Sequence, residues 1–237
     1  MYQFFTALLF AAIGAGEHPT TELETATAVV TETTVELNSS EKAFQNLQLQ
    51  WGTMPSFVSF DYAFKGYEAL KQQGKIASNL LAIVDFSQSS NEKRLWVIDM
   101  DLQQVLYQTY VAHGRNTGNE FATRFSNIGE SFQSSLGFYR TAEQYVGKHG
   151  ISLRLDGLQR GLNCKARDRA IVMHGSDYVS EKFIQSHQRL GRSQGCPAVS
   201  REMAKVLVPL LKEGACLFLY HPSGEKSYTK LINQSLS

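Results

Sequence analysis

Residues 169–175, RAIVMHG, and residues 191–198, GRSQGCPA, each place a chemically versatile side chain next to a glycine. A thiol needs a nearby base to become a thiolate near neutral pH, and imidazole is the side chain best suited to accept that proton. Glycine lets the backbone approach a substrate closely. The two stretches therefore predict an acyl-transfer enzyme that works through a thioester, with Cys196 as nucleophile and His174 as base.

The composition is that of an ordinary soluble globular protein. The 237 residues are 43% hydrophobic and 19% charged, and a chain of this length can bury a sizeable core. The formal net charge is +1, and the basic residues are scattered rather than interleaved with aromatic side chains. We therefore expect no nucleic-acid partner.

The amino-terminal sequence predicts export. Residues 1–16, MYQFFTALLFAAIGAG, contain an apolar run that is too short to span a bilayer and that ends in small residues. We interpret them as a signal peptide, which implies a periplasmic or cell-envelope location and no integral membrane span in the mature protein. The alternative is a buried or interfacial amino-terminal segment. Residues 17–50, rich in Thr and Glu at their start, are expected to form a linker before one domain over residues 51–230.

Three cysteines occur in the chain: Cys164, Cys196 and Cys216. An odd number leaves at least one thiol free in an exported protein. A disulfide between Cys164 and Cys216 would leave Cys196 free, and the alternative is that both are unpaired thiols. Cys216 begins an apolar run and is predicted to lie in the core.

The pattern from residue 51 onward predicts a mainly β fold with a few helices, in the α+β class. Apolar residues recur at helical spacing from Phe57 to Leu70, and Gly74 suits the helix end. A second helix is expected over Val179–Leu190, and a third over Ser200–Leu211 with Ser200 as its N-cap. Strands are predicted, the first three as an antiparallel meander, at Leu80–Phe86, Arg94–Asp99, Gln104–His113, Ser135–Thr141, Ser152–Leu155, Ala170–His174 and Cys216–His221.

The local sequence around Cys196 predicts a constrained turn. Pro197 has a fixed φ and no amide hydrogen, so the preceding thiol has a defined direction. The amides of Gly195 and Cys196 are candidates for an oxyanion hole, which makes Gly195 a candidate catalytic residue. The helix that begins after Ser200 has an amino-terminal dipole that favours a thiolate.

These residues resemble the L,D-transpeptidase catalytic domain family (YkuD-like), and its murein L,D-transpeptidase branch in particular. The resemblance covers residues 55–222. Its further segments are Asp85-Phe86-Ser87, Arg94–Asp99, Val111–Arg115, Phe125-Ser126-Asn127 and Ser134–Gly137. It implies a mixed β-sandwich or barrel catalytic domain. This sequence departs from the commonest family motif at two positions. It has Gln194 where relatives carry His, and Ala198 where they often carry Arg.

The resemblance implies an enzyme that remodels peptidoglycan. Cys196 would attack the peptide carbonyl after the third residue of a stem peptide, and the terminal D-residue would leave. An amine of another stem peptide would then resolve the thioester and form a 3→3 cross-link. The partners are thus peptidoglycan stem peptides, and the reaction needs no cofactor.

Further residues are assigned to substrate binding on the same grounds. The set comprises Arg192, Ser193, Gly175, His113, Arg115 and Tyr139. Arg115 suits a stem-peptide carboxylate, although a solvated turn explains it equally well. Tyr139 faces either the cleft or the core. Arg192 or Arg201 is expected to replace the arginine that relatives carry after the cysteine.

Other functions remain open at this stage. The same thioester could pass to water, giving an L,D-carboxypeptidase or endopeptidase, or the fold could serve as a non-catalytic wall-binding module. A papain-like peptidase is disfavoured because His174 precedes Cys196 in the chain. No metal is expected, because the histidines and cysteines lack the spacing of metal ligands.

Overall fold

The computed structural model describes residues 37–234. The proposed signal peptide (1–16) and most of the expected linker (17–50) lie outside the described residues. Within the described part, no helix is long and apolar enough to cross a membrane.

The described residues form one curved, nine-stranded sheet. Its strands are β1 (Gln48–Leu49), β2 (Leu80–Asp85), β3 (Leu95–Asp99), β4 (Gln104–Thr109), β5 (Gly137–Gly147), β6 (Gly150–Gly157), β7 (Val172–Gly175), β8 (Ala198–Val199) and β9 (Cys216–Tyr220). All seven predicted strands are present, with ends that differ by a few residues. The strand order is β1-β4-β3-β2-β9-β5-β6-β7-β8.

The sheet is mixed and curls back toward its own start. The β2–β3–β4 meander is antiparallel, as predicted, whereas β2 pairs in parallel with β9 and β7 in parallel with β8. Bridges from Ala112 to Ala198 and from Gly114 to Ser193 join the chain after β4 to the far edge of the sheet. The α+β fold with a sandwich or barrel character is therefore confirmed.

Five α-helices accompany the sheet in the described part: α1 (Ser39–Asn46), α2 (Phe57–Gln72), α3 (Glu181–His187), α4 (Arg201–Leu211) and α5 (Glu225–Asn233). Gly74 takes a left-handed φ of 65° directly after the C-cap of α2, as its position predicts. The Ser200 side chain caps α4 by accepting a hydrogen bond from the Met203 amide at 3.1 Å.

Several elements differ from the sequence expectation. Residues 39–49, assigned to the linker, form α1 and β1, because Asn38 and Glu41 make a complete capping box and β1 pairs with β4. The helix expected over Val179–Leu190 is limited to Glu181–His187, since Ser180 caps its start and Gln188 ends it in a left-handed conformation. Helix α5 and strand β8 were not predicted.

The core lies between the sheet and helices α2 and α5. Strands β2 and β9 are buried along their whole length, and Cys216 lies in this core as predicted. Phe138 stacks on Phe218 with ring centroids 4.2 Å apart, and Tyr228 of α5 closes over Phe218 edge-on. Gly66 of α2 faces the Phe138 ring directly.

We predict that Gly66→Ala lowers the free energy of unfolding by about 2 kcal/mol. A methyl group there would overlap the Phe138 ring, which Phe218 holds in place. Such overpacking costs up to about 3 kcal/mol, whereas the gain in helix propensity is about 1 kcal/mol. Urea unfolding measures the change. Gly129→Ala, in open space, is the control and should change stability by less than about 0.5 kcal/mol.

Candidate active site

The pairing of β7 with β8 brings the two sequence stretches together. His174 of β7 lies in register with Ala198 of β8, two residues after Cys196. Both His174 and Cys196 line one cavity of about 730 Å³. The thiol and the imidazole that the sequence singles out therefore share a single solvent-accessible site.

A tight turn before β8 sets the direction of the thiol. Gly195 has a φ of 121°, and a side chain there would lie 2.8 Å from the Gln133 carbonyl oxygen. The Ser193 hydroxyl closes the turn: it accepts the Gly195 N–H at 3.0 Å and donates to the Cys196 carbonyl at 2.7 Å. The Gly195 amide is thus occupied by Ser193. This leaves the Cys196 amide as the better oxyanion donor of the two.

The Cys196 thiol is half-buried at the end of this turn. Its Sγ accepts the Val172 N–H at 3.5 Å and lies 3.7 Å from the Ala170 carbonyl. Burial raises the pKa of Cys196, while the Val172 amide and the positive charge of Arg169 act in the opposite direction. In the free protein the thiol is therefore protonated at neutral pH.

His174 is buried and held in one tautomer. Its Nδ1 lies 3.1 Å from the Gly175 carbonyl, which can only accept, so Nδ1 carries the proton and Nε2 is the basic nitrogen. Burial lowers the pKa of His174, and the charges of Lys148 and Arg201 lower it further. A neutral imidazole and a protonated thiol in one cavity are the resting state that general-base activation requires.

Arg169 was missed as a functional residue by the sequence interpretation. Its guanidinium donates to the carbonyls of Ser126 and Gln133 at 2.7 and 2.6 Å and to the hydroxyl of Ser135 at 2.5 Å. It lines the cavity, and its charge lowers the pKa of Cys196. Arg169 therefore couples the loop over residues 126–135 to the thiol. Its position in the RAIVMHG stretch was the only available signal.

The cavity has an uneven charge distribution. Its lining contains the cations Lys148, Arg169 and Arg192 but a single carboxylate, Glu130. The β5–β6 hairpin forms one wall, through Tyr145, Gly147, Lys148, His149 and Ser152. None of these five residues was predicted to belong to the site, because nothing in the local sequence indicates where the hairpin folds.

Two residues assigned to substrate binding lie outside the cavity lining. His113 is buried: Arg94 donates to its Nδ1 at 2.9 Å, and its Nε2 donates to the Gly118 carbonyl at 3.3 Å. Burial and the Arg94 charge lower the pKa of His113 to about 3, so it stays neutral. Tyr139 is fully buried and donates to the Ser135 carbonyl at 3.0 Å. Both side chains support the fold rather than the cleft.

Two further assigned residues also lie outside the lining. Arg115 stacks on Phe132 at 3.9 Å and thereby braces a cavity wall without reaching the cavity itself. Gly175 provides space for helix α4, since a side chain there would lie 2.9 Å from the Arg201 Cα. The Arg201 side chain pairs with Asp177 at 2.6 Å and is not part of the cavity lining.

Arg192, Ser193 and Gln194 do line the cavity. Arg192 is anchored at one end, because its Nη1 donates to Asn119 Oδ1 at 2.8 Å and to the Gly118 carbonyl at 3.1 Å. Ser193 is buried and its hydroxyl is committed to the turn described above. Gln194 is exposed at the position where relatives carry histidine.

The three cysteines are all unpaired, so the considered Cys164–Cys216 disulfide is absent. Cys216 is buried among apolar side chains, whereas Cys164 is exposed. The Gly161 and Asn127 amides donate to the Cys164 sulfur at 3.4 and 3.3 Å and lower its pKa. Within residues 37–234, no group of three or more His, Cys, Asp or Glu side chains is arranged to hold a metal ion.

Residues 53–220 match the family model of the L,D-transpeptidase catalytic domain. The match spans most of the chain, and the protein therefore belongs to this family. No curated protein sequence matches the chain.

Solved structures with a similar arrangement include several L,D-transpeptidases. The enzyme from Mycobacterium smegmatis is 12% identical with a TM-score of 0.38, and the match covers 61% of this chain and 60% of that one. The enzyme from Stackebrandtia nassauensis is 15% identical with a TM-score of 0.36, covering 68% and 65%. The helical cell shape determining protein Pgp2 from Campylobacter jejuni is 11% identical with a TM-score of 0.41, covering 73% and 62%. The chain thus spans less than two thirds of the length of each.

We predict that iodoacetamide at neutral pH modifies Cys164 faster than Cys196. The pKa of Cys164 is lowered, whereas burial raises that of Cys196, and only the thiolate reacts. Arg169→Met should slow the labelling of Cys196 by about threefold or more, because it removes a charge that favours the thiolate. Peptide mass mapping over time measures both rates. Unchanged labelling of Cys164 in the variant is the internal control, and unchanged labelling of Cys196 would contradict the role of Arg169.

Proposed function

We propose that this protein is an exported cysteine L,D-transpeptidase that remodels peptidoglycan through a thioester on Cys196. The observation that carries the proposal is that Cys196 and a neutral His174 line the same cavity within a domain of this family. The catalytic domain expected over residues 51–230 also includes α1 and β1 of residues 39–49, and residues 1–16 act as the export signal.

Acylation begins with His174. Its Nε2 takes the Cys196 proton as Sγ attacks the carbonyl carbon after the third stem-peptide residue. The Cys196 amide donates to the developing oxyanion, and the Gly175 carbonyl stabilises the imidazolium through Nδ1–H. When the tetrahedral intermediate collapses, the C–N bond breaks. The leaving D-amino acid takes the proton from His174, and the thioester remains.

Deacylation reverses the proton path. An amine of a second stem peptide attacks the thioester carbonyl and gives its proton to His174 Nε2. The C–S bond breaks, and the thiolate recovers the proton from the imidazolium. The sum is an exchange of one amide for another, so atoms and charge balance without a cofactor.

The charges that line the cavity suit such substrates. Stem peptides carry carboxylates, which Arg192 and Lys148 can pair with, and a diamino acid carries an ammonium group, which Glu130 can accept. Positively and negatively charged side chains therefore line the same cavity as the thiol. Membership of the L,D-transpeptidase domain family supports peptidoglycan as the substrate class, and these charges are consistent with its stem peptides.

We predict that Cys196→Ala and His174→Ala each lower cross-linking by about a thousandfold or more, since each removes one half of the nucleophile–base pair. Mass spectrometry of muropeptides incubated with the protein measures 3→3 dimers. Cys164→Ser, which changes an exposed thiol outside the cavity lining, is the matched control and should retain activity.

The product pattern separates the alternatives. Shortened monomeric stems without dimers would identify a carboxypeptidase that uses water as acceptor. Equal products from wild type and Cys196→Ala would refute the thioester mechanism.

We further predict that a carbapenem acylates Cys196. The strained lactam carbonyl can accept the thiol in place of the stem-peptide carbonyl, and intact-protein mass spectrometry would show the added mass of one drug molecule. The adduct should be absent in Cys196→Ser and present in Cys164→Ser. A folded wild-type protein that forms no adduct would favour a non-catalytic wall-binding module.

A further inference from the structure

The tip of the β5–β6 hairpin brings a second histidine onto the site. His149 lies between the two strands, and its ring stacks on that of His174 with centroids 4.4 Å apart and planes 24° apart. Strand β5 contains a bulge between Thr141 and Gln144, and a bulge of this kind bends the strand that carries it. The Ser152–His174 pairing then fixes the base of the tip against β7.

The His174 ring needs more than its one hydrogen bond to stay oriented. The Gly175 carbonyl holds Nδ1 in the plane of the ring, but this contact alone does not prevent the plane from tilting. A second ring stacked on the face restricts that tilt and excludes water. His149 is itself partly exposed, and it covers the more deeply buried His174 on the side of the hairpin tip.

We propose that His149 is a positioning residue for His174: its ring stacks on the imidazole, fixes the plane of that ring and shields it from water. The proposal rests on the function of His174 as the base of the proposed L,D-transpeptidase. It assigns to the hairpin the orientation and shielding of the His174 ring, a role that the sequence motifs around Cys196 and His174 do not indicate.

Two cations lie near the stacked rings, and both rings are neutral at neutral pH. Lys148 acts on both rings from the hairpin tip, and Arg201 acts on both from α4. Arg201 is itself paired with Asp177. Burial and these two cations lower the pKa of His149, so its ring is neutral at neutral pH. Two neutral rings attract rather than repel. Burial is the largest cause of the lowered His174 pKa, and the charge that His149 carries when protonated lowers it further, by a smaller amount.

The test compares His149→Ala with His149→Phe. Alanine removes the ring, so water reaches His174 and its pKa should rise toward the ordinary 6.5. The acid limb of kcat/KM should then move to higher pH by about 0.5 or more, and kcat should fall several-fold at little change in KM. Phenylalanine retains a flat ring without a titrating group, and it should keep both the acid limb and kcat near wild type.

The titration of His174 is followed by NMR of its ring carbon-bound protons in the free protein. This measurement does not depend on turnover. A wild-type protein without transpeptidase activity, together with a shifted His174 pKa in His149→Ala, would refute the transpeptidase proposal but not the stacking. Val146→Ala, at an exposed site of the same hairpin, controls for general disturbance of the tip. Thermal unfolding confirms that each variant is folded.

Two results would overturn the proposal. One is a His149→Ala variant whose His174 pKa and pH profile equal those of wild type. The other is a His149→Phe variant that behaves like His149→Ala, because that result would assign the effect to the imidazole nitrogens of His149 rather than to its stacked ring.

Discussion

The close approach of the backbone at Gly195 is the constraint on which the site depends. Its left-handed φ and the Gln133 carbonyl beside its Cα leave no room for a side chain. Gly114 approaches the same glycine from the other side, where a side chain would lie 2.9 Å from the Gly195 Cα. The turn therefore fixes three things together: the direction of the Cys196 thiol, the start of β8 and the closure of the sheet.

The electrostatics of the site follow from burial. Burial favours the uncharged forms of both the half-buried thiol and the buried imidazole, so the pair rests as thiol and neutral imidazole. Arg169 limits this effect for the thiol and holds the adjacent loop through backbone carbonyls. Three of the six non-glycine residues with positive φ in the described part, Glu130, Phe132 and Ala170, line the cavity.

Much of the fold could be predicted because its signals are local. The apolar spacing up to Gly74, the Ser200 cap and the alternating runs from Leu80 onward each depend on neighbouring residues, and each element is present. The Cys196 and His174 pair was found in the same way. Residues 39–49 were assigned to a linker because a short capped helix and a two-residue strand leave a weak pattern.

The sequence by itself determined the family and the kinds of elements and predicted the Cys196 and His174 pair, because these follow from residue type and short spacing. The tertiary structure decided which side chains share the cavity. It placed His113 beside Arg94 and Tyr139 in the core, committed the Gly195 amide to Ser193, and brought His149 onto His174 from the hairpin. Contacts between residues far apart in the chain depend on the curvature and pairing of the sheet, which short-range patterns do not encode.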